Sequence, residues 1–334
     1  MVLGFPFSLG FGSLCVLGSF FSVSSGDWLG IWLGLEVNLL GFIPLMIQGG
    51  GGQVTESAIK YFIVQALGSG LLLLGGFGGD GCSVWSLGGF DGFIFFVLVG
   101  IVLKLGVAPF HWWVPSVMGG LSWLGCGLLM TWQKLAPFLV LSFFCGSLSG
   151  FLLFLGCVSS VLGGVMGVGQ VQIRILMAYS SISHWGWIFV VLSISFFGGV
   201  SYFFFYMLVS FFLFYFLGCF GLWRSNQLGG SSGLFLGVGF LCLSGLPPLT
   251  GFLPKWVGLQ IISSWGLSLV LGLLVLGSVL GLYYYLSLFF VFFVGSDKGD
   301  SFFYKGFFAF SAPLGLVLFV GGFPFYEIFF YLGC

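Results

Sequence analysis

The chain has 334 residues, of which 59% are hydrophobic and only 5% charged, with a mean hydropathy of +1.22. Roughly a quarter of a soluble globular domain is charged, so this composition excludes one and predicts an all-α polytopic membrane protein. Eight basic residues balance eight acidic ones, which leaves no basic patch for nucleic acid and points to the lipid bilayer and other membrane subunits as partners.

The motifs narrow the function further. No Gly-x-Gly-x-x-Gly follows a strand, there is no phosphate-binding loop, and the 59 glycines are dispersed through apolar segments, which reads as close helix–helix packing. Cys15, Cys82, Cys126, Cys145, Cys157, Cys219, Cys242 and Cys334 show neither C-x-x-C nor metal-ligand spacing, so they are read as small buried hydrophobes. The chain is expected to bind no metal, nucleotide, flavin or iron–sulfur cluster.

A hydrocarbon core of roughly 30 Å needs about 20 residues of helix per crossing. Polar and Gly-rich breaks divide the chain into about eleven transmembrane segments of that size, near 5–23, 28–48, 57–77, 90–110, 119–146, 148–169, 171–195, 197–222, 233–263, 267–295 and 306–330. No Lys or Arg precedes Lys60, so neither a secretory signal nor an organellar transit peptide is expected. Glu36, in "WLGLEVNLLGFIPLM" of the second segment, is about 12 Å deep and too short to reach the surface. It is either a proton-carrying carboxylate or a structural ion-pair partner. Lys60, in "TESAIKYFIVQ" of the third, stands one turn after Glu56; that spacing suits an ordinary surface pair as well as a functional lysine.

The fourth segment contains "KLGVAPFHWWVP", with Lys104, Pro109 and then Pro115; His111 beside Trp112 and Trp113 reads as an interfacial anchor or as a secondary relay group. Lys134 lies near the middle of the fifth, three residues before Pro137. His184, among the serines of "AYSSISHWGWIF" in the seventh, is a bridging imidazole or a hydrogen-bonded core histidine. The ninth holds "LSGLPPLTGFLPKW", in which Pro247, Pro248 and Pro254 precede Lys255.

Proline removes a backbone donor and clashes with the preceding turn, so segments four and nine are expected to be broken helices. Such breaks survive at membrane depth only where protein or trapped water satisfies the freed carbonyls. They fall on the fourth member of two consecutive groups of five, and an odd number of crossings per group turns the groups upside down relative to each other. This predicts a first five-helix repeat over 1–146, a second inverted one over 147–295, and a loop with a last helix over 296–334. Each ionisable group at the centre of a span costs at least ~2.5–3.5 kcal/mol. Three lysines could each cap a freed carbonyl; with two of them at the breaks, the reading preferred is a proton relay of desolvated, titratable ammonium groups.

With eleven crossings, Arg174, Arg224, Lys298 and Lys305 fall on one side of the membrane, and Asp27, Asp80 and Asp91 on the other. The positive-inside rule then puts the N-terminus on the cytoplasm-like side, the matrix in a mitochondrion, and the C-terminus on the intermembrane side.

"WLGLEVNLLGFIPLM", "ESAIKYFIVQALGSG", "KLGVAPFHWWVPSV", "LLMTWQKLAPF", "ILMAYSSISHWGWI" and "LSGLPPLTGFLPKW" resemble, in this order, the chain 2 family of mitochondrial NADH:ubiquinone oxidoreductase, respiratory complex I. The likeness runs from about residue 28 to 263. It implies an antiporter-like fold of two inverted repeats joined by a hydrated polar axis, and a place beside other membrane-arm subunits of complex I in the mitochondrial inner membrane. It also implies Glu36 as the carboxylate of the first repeat, Lys104 as its broken-helix partner and Lys134 as the connecting lysine. Lys60 would modulate, His184 would belong to the polar axis, and Lys255 would be the broken-helix lysine of the second repeat. NADH, FMN, iron–sulfur clusters and ubiquinone would be used by the whole complex and bound elsewhere, leaving this chain no soluble small-molecule substrate other than protons. A stand-alone cation/proton antiporter and a purely structural membrane scaffold remain the alternatives.

Overall fold

The computed structural model describes residues 5–48, 50–78, 92–143, 149–220, 231–247 and 249–294. Asp80, Asp91, Arg224, Pro248, Lys298, Lys305 and the expected last helix over 306–330 lie outside the described residues. Every described element is an α-helix: α1 Phe5–Ser24, α2 Trp28–Ile47, α3 Gly52–Gly78, α4 Gly92–Leu105, α5 Trp113–Gly120, α6 Trp123–Met130, α7 Trp132–Ser142, α8 Ser149–Gly167, α9 Ile173–Ile194, α10 Phe196–Phe220, α11 Ser231–Ser244, α12 Phe252–Ser264 and α13 Ser268–Val294. Among the described residues, eight helical stretches are long and apolar enough to cross a membrane, and Phe93–Leu105 and Phe235–Ser244 are shorter apolar helices. Helices are what lipid demands, because they close their backbone hydrogen bonds internally. Serines follow the same logic, as when Ser181 Oγ donates to the Ala178 carbonyl at 2.7 Å.

The chain forms two compact units, Met1–Ser147 and Leu148–Cys334. In the first, α1 packs along α2, α3 along α4 and α2, α5 against α3, and α7 against α4 and α1. In the second, α8 packs on α9 and α13, α11 on α13, and α10 and α12 on α9. The α8–α9 contact brings backbone against backbone. A Cβ on Gly163 would stand 2.5 Å from the Ser183 nitrogen, and one on Gly186 would stand 2.6 Å from the Gly156 carbonyl oxygen. Only glycine permits that approach. Large apolar side chains such as Leu17 and Phe20 on α1 and Leu269 and Phe293 on α13 point outward, as suits surfaces facing lipid tails.

The two expected breaks are built on one plan. α4 ends before Gly106 at φ 68°, and α11 ends before Gly245 at φ 78°; a left-handed residue just past a helix lets its N–H reach back to an orphan carbonyl, and glycine adopts it without strain. Three residues after each glycine stands Pro109 or Pro248, and nine residues after stands Pro115 or Pro254. Pro115 and Pro254 are each the third residue of the following helix, α5 and α12, where the missing N–H is one of the unpaired first-turn donors anyway. Pro254, expected within a break, therefore lies in the first turn of the second half-helix instead.

The segment expected as one span over 119–146 is one apolar stretch over Trp123–Ser142, interrupted once at Thr131. Ser122, in extended conformation, caps α6 by accepting from the Gly125 N–H at 3.3 Å, a start signal the apolar run obscured. α6 and α7 then meet at Thr131, whose φ −109° and ψ −75° interrupt the helix. Its hydroxyl donates to the Gly127 carbonyl at 2.7 Å.

Gly186→Ala should destabilise the α8–α9 pair by about 1–3 kcal/mol, the cost of overpacking a close contact. Gly12→Ala, with open space around it, should not. The amount of intact complex on a native gel checks both.

Candidate functional site

The expected site residues of the first unit occupy α2, α3, α4 and α7. Lys104, in the last turn of α4, is 4% exposed, and Lys134, in the first turn of α7, is 2% exposed. Glu36 on α2 is half-buried and interacts electrostatically with Lys104. The two do not form a contact ion pair: among the described residues the one salt bridge within 4.0 Å joins Lys60 and Glu56 at 2.6 Å. Lys60 is 47% exposed, so the structure gives it the surface pairing that its spacing suggested.

Three carbonyls at the end of α4, those of Val102, Leu103 and Lys104, are satisfied without a lysine. The Gly106 N–H donates to the Val102 carbonyl at 3.0 Å, and the Trp113 indole N–H donates to the Leu103 carbonyl at 3.1 Å. The Gln65 amide donates to the Lys104 carbonyl at 3.2 Å. Lys104 thus has no capping duty that would explain its burial. His111 lies inside the break and is 3% exposed, its ring stacked on Trp112 with centroids 4.9 Å apart. Trp112 faces outward as an interfacial anchor would, whereas Trp113 turns inward to cap.

In the second unit the arrangement differs. The Lys255 ammonium donates to the Ser244 carbonyl at 2.7 Å, so this lysine caps the last residue of α11 across the break. Beside it the Cys242 thiol and the Thr250 hydroxyl are 3.0 Å apart. His184 is buried; its Nδ1 is 3.2 Å from the Tyr202 hydroxyl, and Lys255 lies within electrostatic range. The Tyr206 ring lies 5.3 Å from it. Serine, imidazole, phenol and ammonium are thereby gathered around one helix end.

Sequence reasoning missed several of these polar groups. Tyr202 and Tyr206 sit one turn apart in an otherwise Phe-rich span. Asn38 and Gln133, each within two residues of a predicted site residue, are joined by a hydrogen bond of 3.0 Å. Neutral polar residues adjacent to buried charges were the available signal.

The family model described as "NADH:quinone oxidoreductase/Mrp antiporter, TM" matches residues 25–78 and 88–281. The chain belongs to this family. Among its relatives, "NADH-ubiquinone oxidoreductase chain 2" of Lumbricus terrestris is 36% identical over 286 residues, covering 83% of this chain and 84% of that one. The protein of the same name from Branchiostoma lanceolatum is 38% identical over 284 residues, covering 79% of each chain. A subunit in the structure of respiratory complex I from Thermus thermophilus superposes with a TM-score of 0.80 at 27% identity, over 95% of this chain and 79% of that one. The Mrp complex of Dietzia, at a TM-score of 0.78 and 21% identity over 87% of this chain and 61% of that one, shares the fold. The antiporter-like family therefore embraces the helical architecture and both of its breaks, which lie within the matched residues.

Lys255→Met removes the donor on the Ser244 carbonyl, so it should lower stability by about 1–3 kcal/mol, the cost of an unsatisfied buried acceptor. Lys104→Met removes no backbone cap and should leave the amount of assembled protein close to that of the unaltered chain. Thermal inactivation of the assembled membrane protein would distinguish the two.

Proposed function

We propose that the chain is a proton-translocating core subunit of respiratory complex I in the mitochondrial inner membrane, with Glu36, Lys104, Lys134 and Lys255 as its relay. The observation that carries the relay is the pair of buried lysines in the first unit, one of which, Lys104, interacts electrostatically with Glu36 while other donors cap its broken helix. The relatives named as chain 2 of NADH-ubiquinone oxidoreductase, covering about four-fifths of this chain, support the assignment to complex I over a stand-alone antiporter. Its partners are then the other membrane-arm subunits and lipid. Electron transfer from NADH to ubiquinone belongs to the complex, and this chain holds no redox group of its own.

We read the crossings as eleven. The eight apolar spans are joined by the two broken segments and by residues 306–330, with the N-terminus on the matrix side and the C-terminus on the intermembrane side. The matching spacing of Gly106, Pro109 and Pro115 with Gly245, Pro248 and Pro254 supports two inverted five-helix repeats, 1–146 and 147–295, followed by 296–334.

In this reading a signal from the electron-transfer subunits alters the Glu36–Lys104 interaction. When the two separate, the attraction between them weakens and a proton is free to move. It passes by Lys134 and His184 toward Lys255. Lys60, exposed and paired with Glu56, adjusts the local field, and His111 at the first break is a secondary relay group.

Lys104→Met in the assembled complex should lower proton-coupled turnover at least about tenfold, within the range of a lost proton-transfer group, while assembly and electron transfer from NADH to an artificial acceptor persist. Pumping at the unaltered stoichiometry would defeat the relay, and loss of assembly would favour a scaffold. Lys60→Met should change turnover by much less. Proton uptake into inner-membrane vesicles is the readout.

A further inference from the structure

α3 contributes no buried charge to the relay, yet its polar face touches the backbone and stem of Lys104 and the residue that precedes Lys134. Tyr61, Gln65 and Gly68 are spaced by four and three residues, so they share one face of the helix. The Tyr61 hydroxyl donates to Gln133 Oε1 at 3.2 Å. Gln133 immediately precedes Lys134, and its amide donates in turn to Asn38 Oδ1 at 3.0 Å, two residues beyond Glu36. One turn along α3, the Gln65 amide holds the carbonyl of Lys104 at 3.2 Å. Gly68 leaves room for the Lys104 stem, since a Cβ there would lie 2.9 Å from Lys104 Cγ. The Tyr61 ring also lies 5.8 Å from that of Trp113, which caps the Leu103 carbonyl at the same break.

Pro137 adds a reason for such a bracket. Its missing N–H removes the intrahelical donor that would have reached the Gln133 carbonyl, and Thr131 interrupts the helix two residues earlier. The turn bearing Lys134 is thus weakly held by its own helix. The Gln133 side chain ties it to α2 and α3 instead.

We propose that Tyr61, Gln65, Gln133 and Asn38 are positioning residues of the proton relay, fixing the backbone at Lys104 and Lys134 relative to the helix of Glu36. The inference rests on the relay reading above. Proton transfer depends steeply on the separation of its partners, so a bracket that sets two lysines against one carboxylate sets their coupling as well. All four residues are buried or half-buried, and none needs to change protonation for the purpose.

The test uses the assembled complex in inner-membrane vesicles and compares Tyr61→Phe, Gln133→Leu and Gln65→Met with Lys134→Met. Tyr61→Phe keeps the ring beside Phe42 and Trp113 and deletes only the hydroxyl. The expected result is unaltered assembly and artificial-acceptor activity, coupled turnover reduced about tenfold, and a displaced pH profile of pumping. Gln133→Glu, which keeps the acceptor for Tyr61, should recover more of that turnover than Gln133→Leu. Unchanged stoichiometry and pH profile in Tyr61→Phe overturn the proposal, also where Gln133→Leu fails to assemble, for the network is then structural. If Lys134→Met stops pumping and the bracket variants do not, only the bracket falls; if Lys134→Met pumps normally, the relay falls with it.

Discussion

A backbone carbonyl freed inside a membrane must find a donor, and the architecture is organised around how that requirement is met. An unsatisfied polar group in hydrocarbon costs several kcal/mol, comparable with the whole margin of stability of many domains. Both broken segments answer it first with a left-handed glycine, Gly106 or Gly245. They then diverge in the remaining donors. The first recruits an indole and a side-chain amide, from Trp113 and Gln65, and the second recruits the ammonium of Lys255.

That divergence separates two explanations of a buried lysine. A lysine that caps is accounted for by the backbone it serves, whether or not it also moves protons. Lys255 is such a residue. Lys104 is not, because the Val102, Leu103 and Lys104 carbonyls are already occupied by other donors. What remains near it is the opposite charge of Glu36, held at a distance longer than a contact pair. An attraction of that kind can be altered without breaking a contact, and it is stronger at a given distance in a poorly polarisable medium than in water.

Much of this was legible in the sequence. Helical class, the second, seventh and tenth spans and both breaks followed from hydropathy and proline, because lipid leaves few choices of backbone and proline's effect is local. The burial of Lys104, Lys134 and His184 was legible too, since a charge or an imidazole within an apolar run is conspicuous. The interruption within 119–146 was not, because the cap by the Ser122 side chain and the backbone angles of Thr131 are not displayed by composition. Nor was the capping by Trp113, which beside Trp112 reads as a second interfacial anchor until the helices are packed. The Gln133–Asn38–Tyr61 chain spans residues 38 to 133, and no local pattern records which neutral side chains meet across that separation.

The difference between the breaks has a consequence for how their lysines can respond to a proton. If Lys255 becomes neutral it keeps two N–H donors and can still reach the Ser244 carbonyl, but the bond passes from a charge-assisted one to an ordinary one, with about half the strength. The charge of Lys255 and the capping of α11 are therefore linked, for the ammonium is itself one of the caps. Lys104 lacks that link. Its charge can change without slackening the caps on α4, which rest on Gly106, Trp113 and Gln65. The first break thus holds Lys104 beside caps that do not depend on its charge, and the second uses Lys255 as one of its own caps.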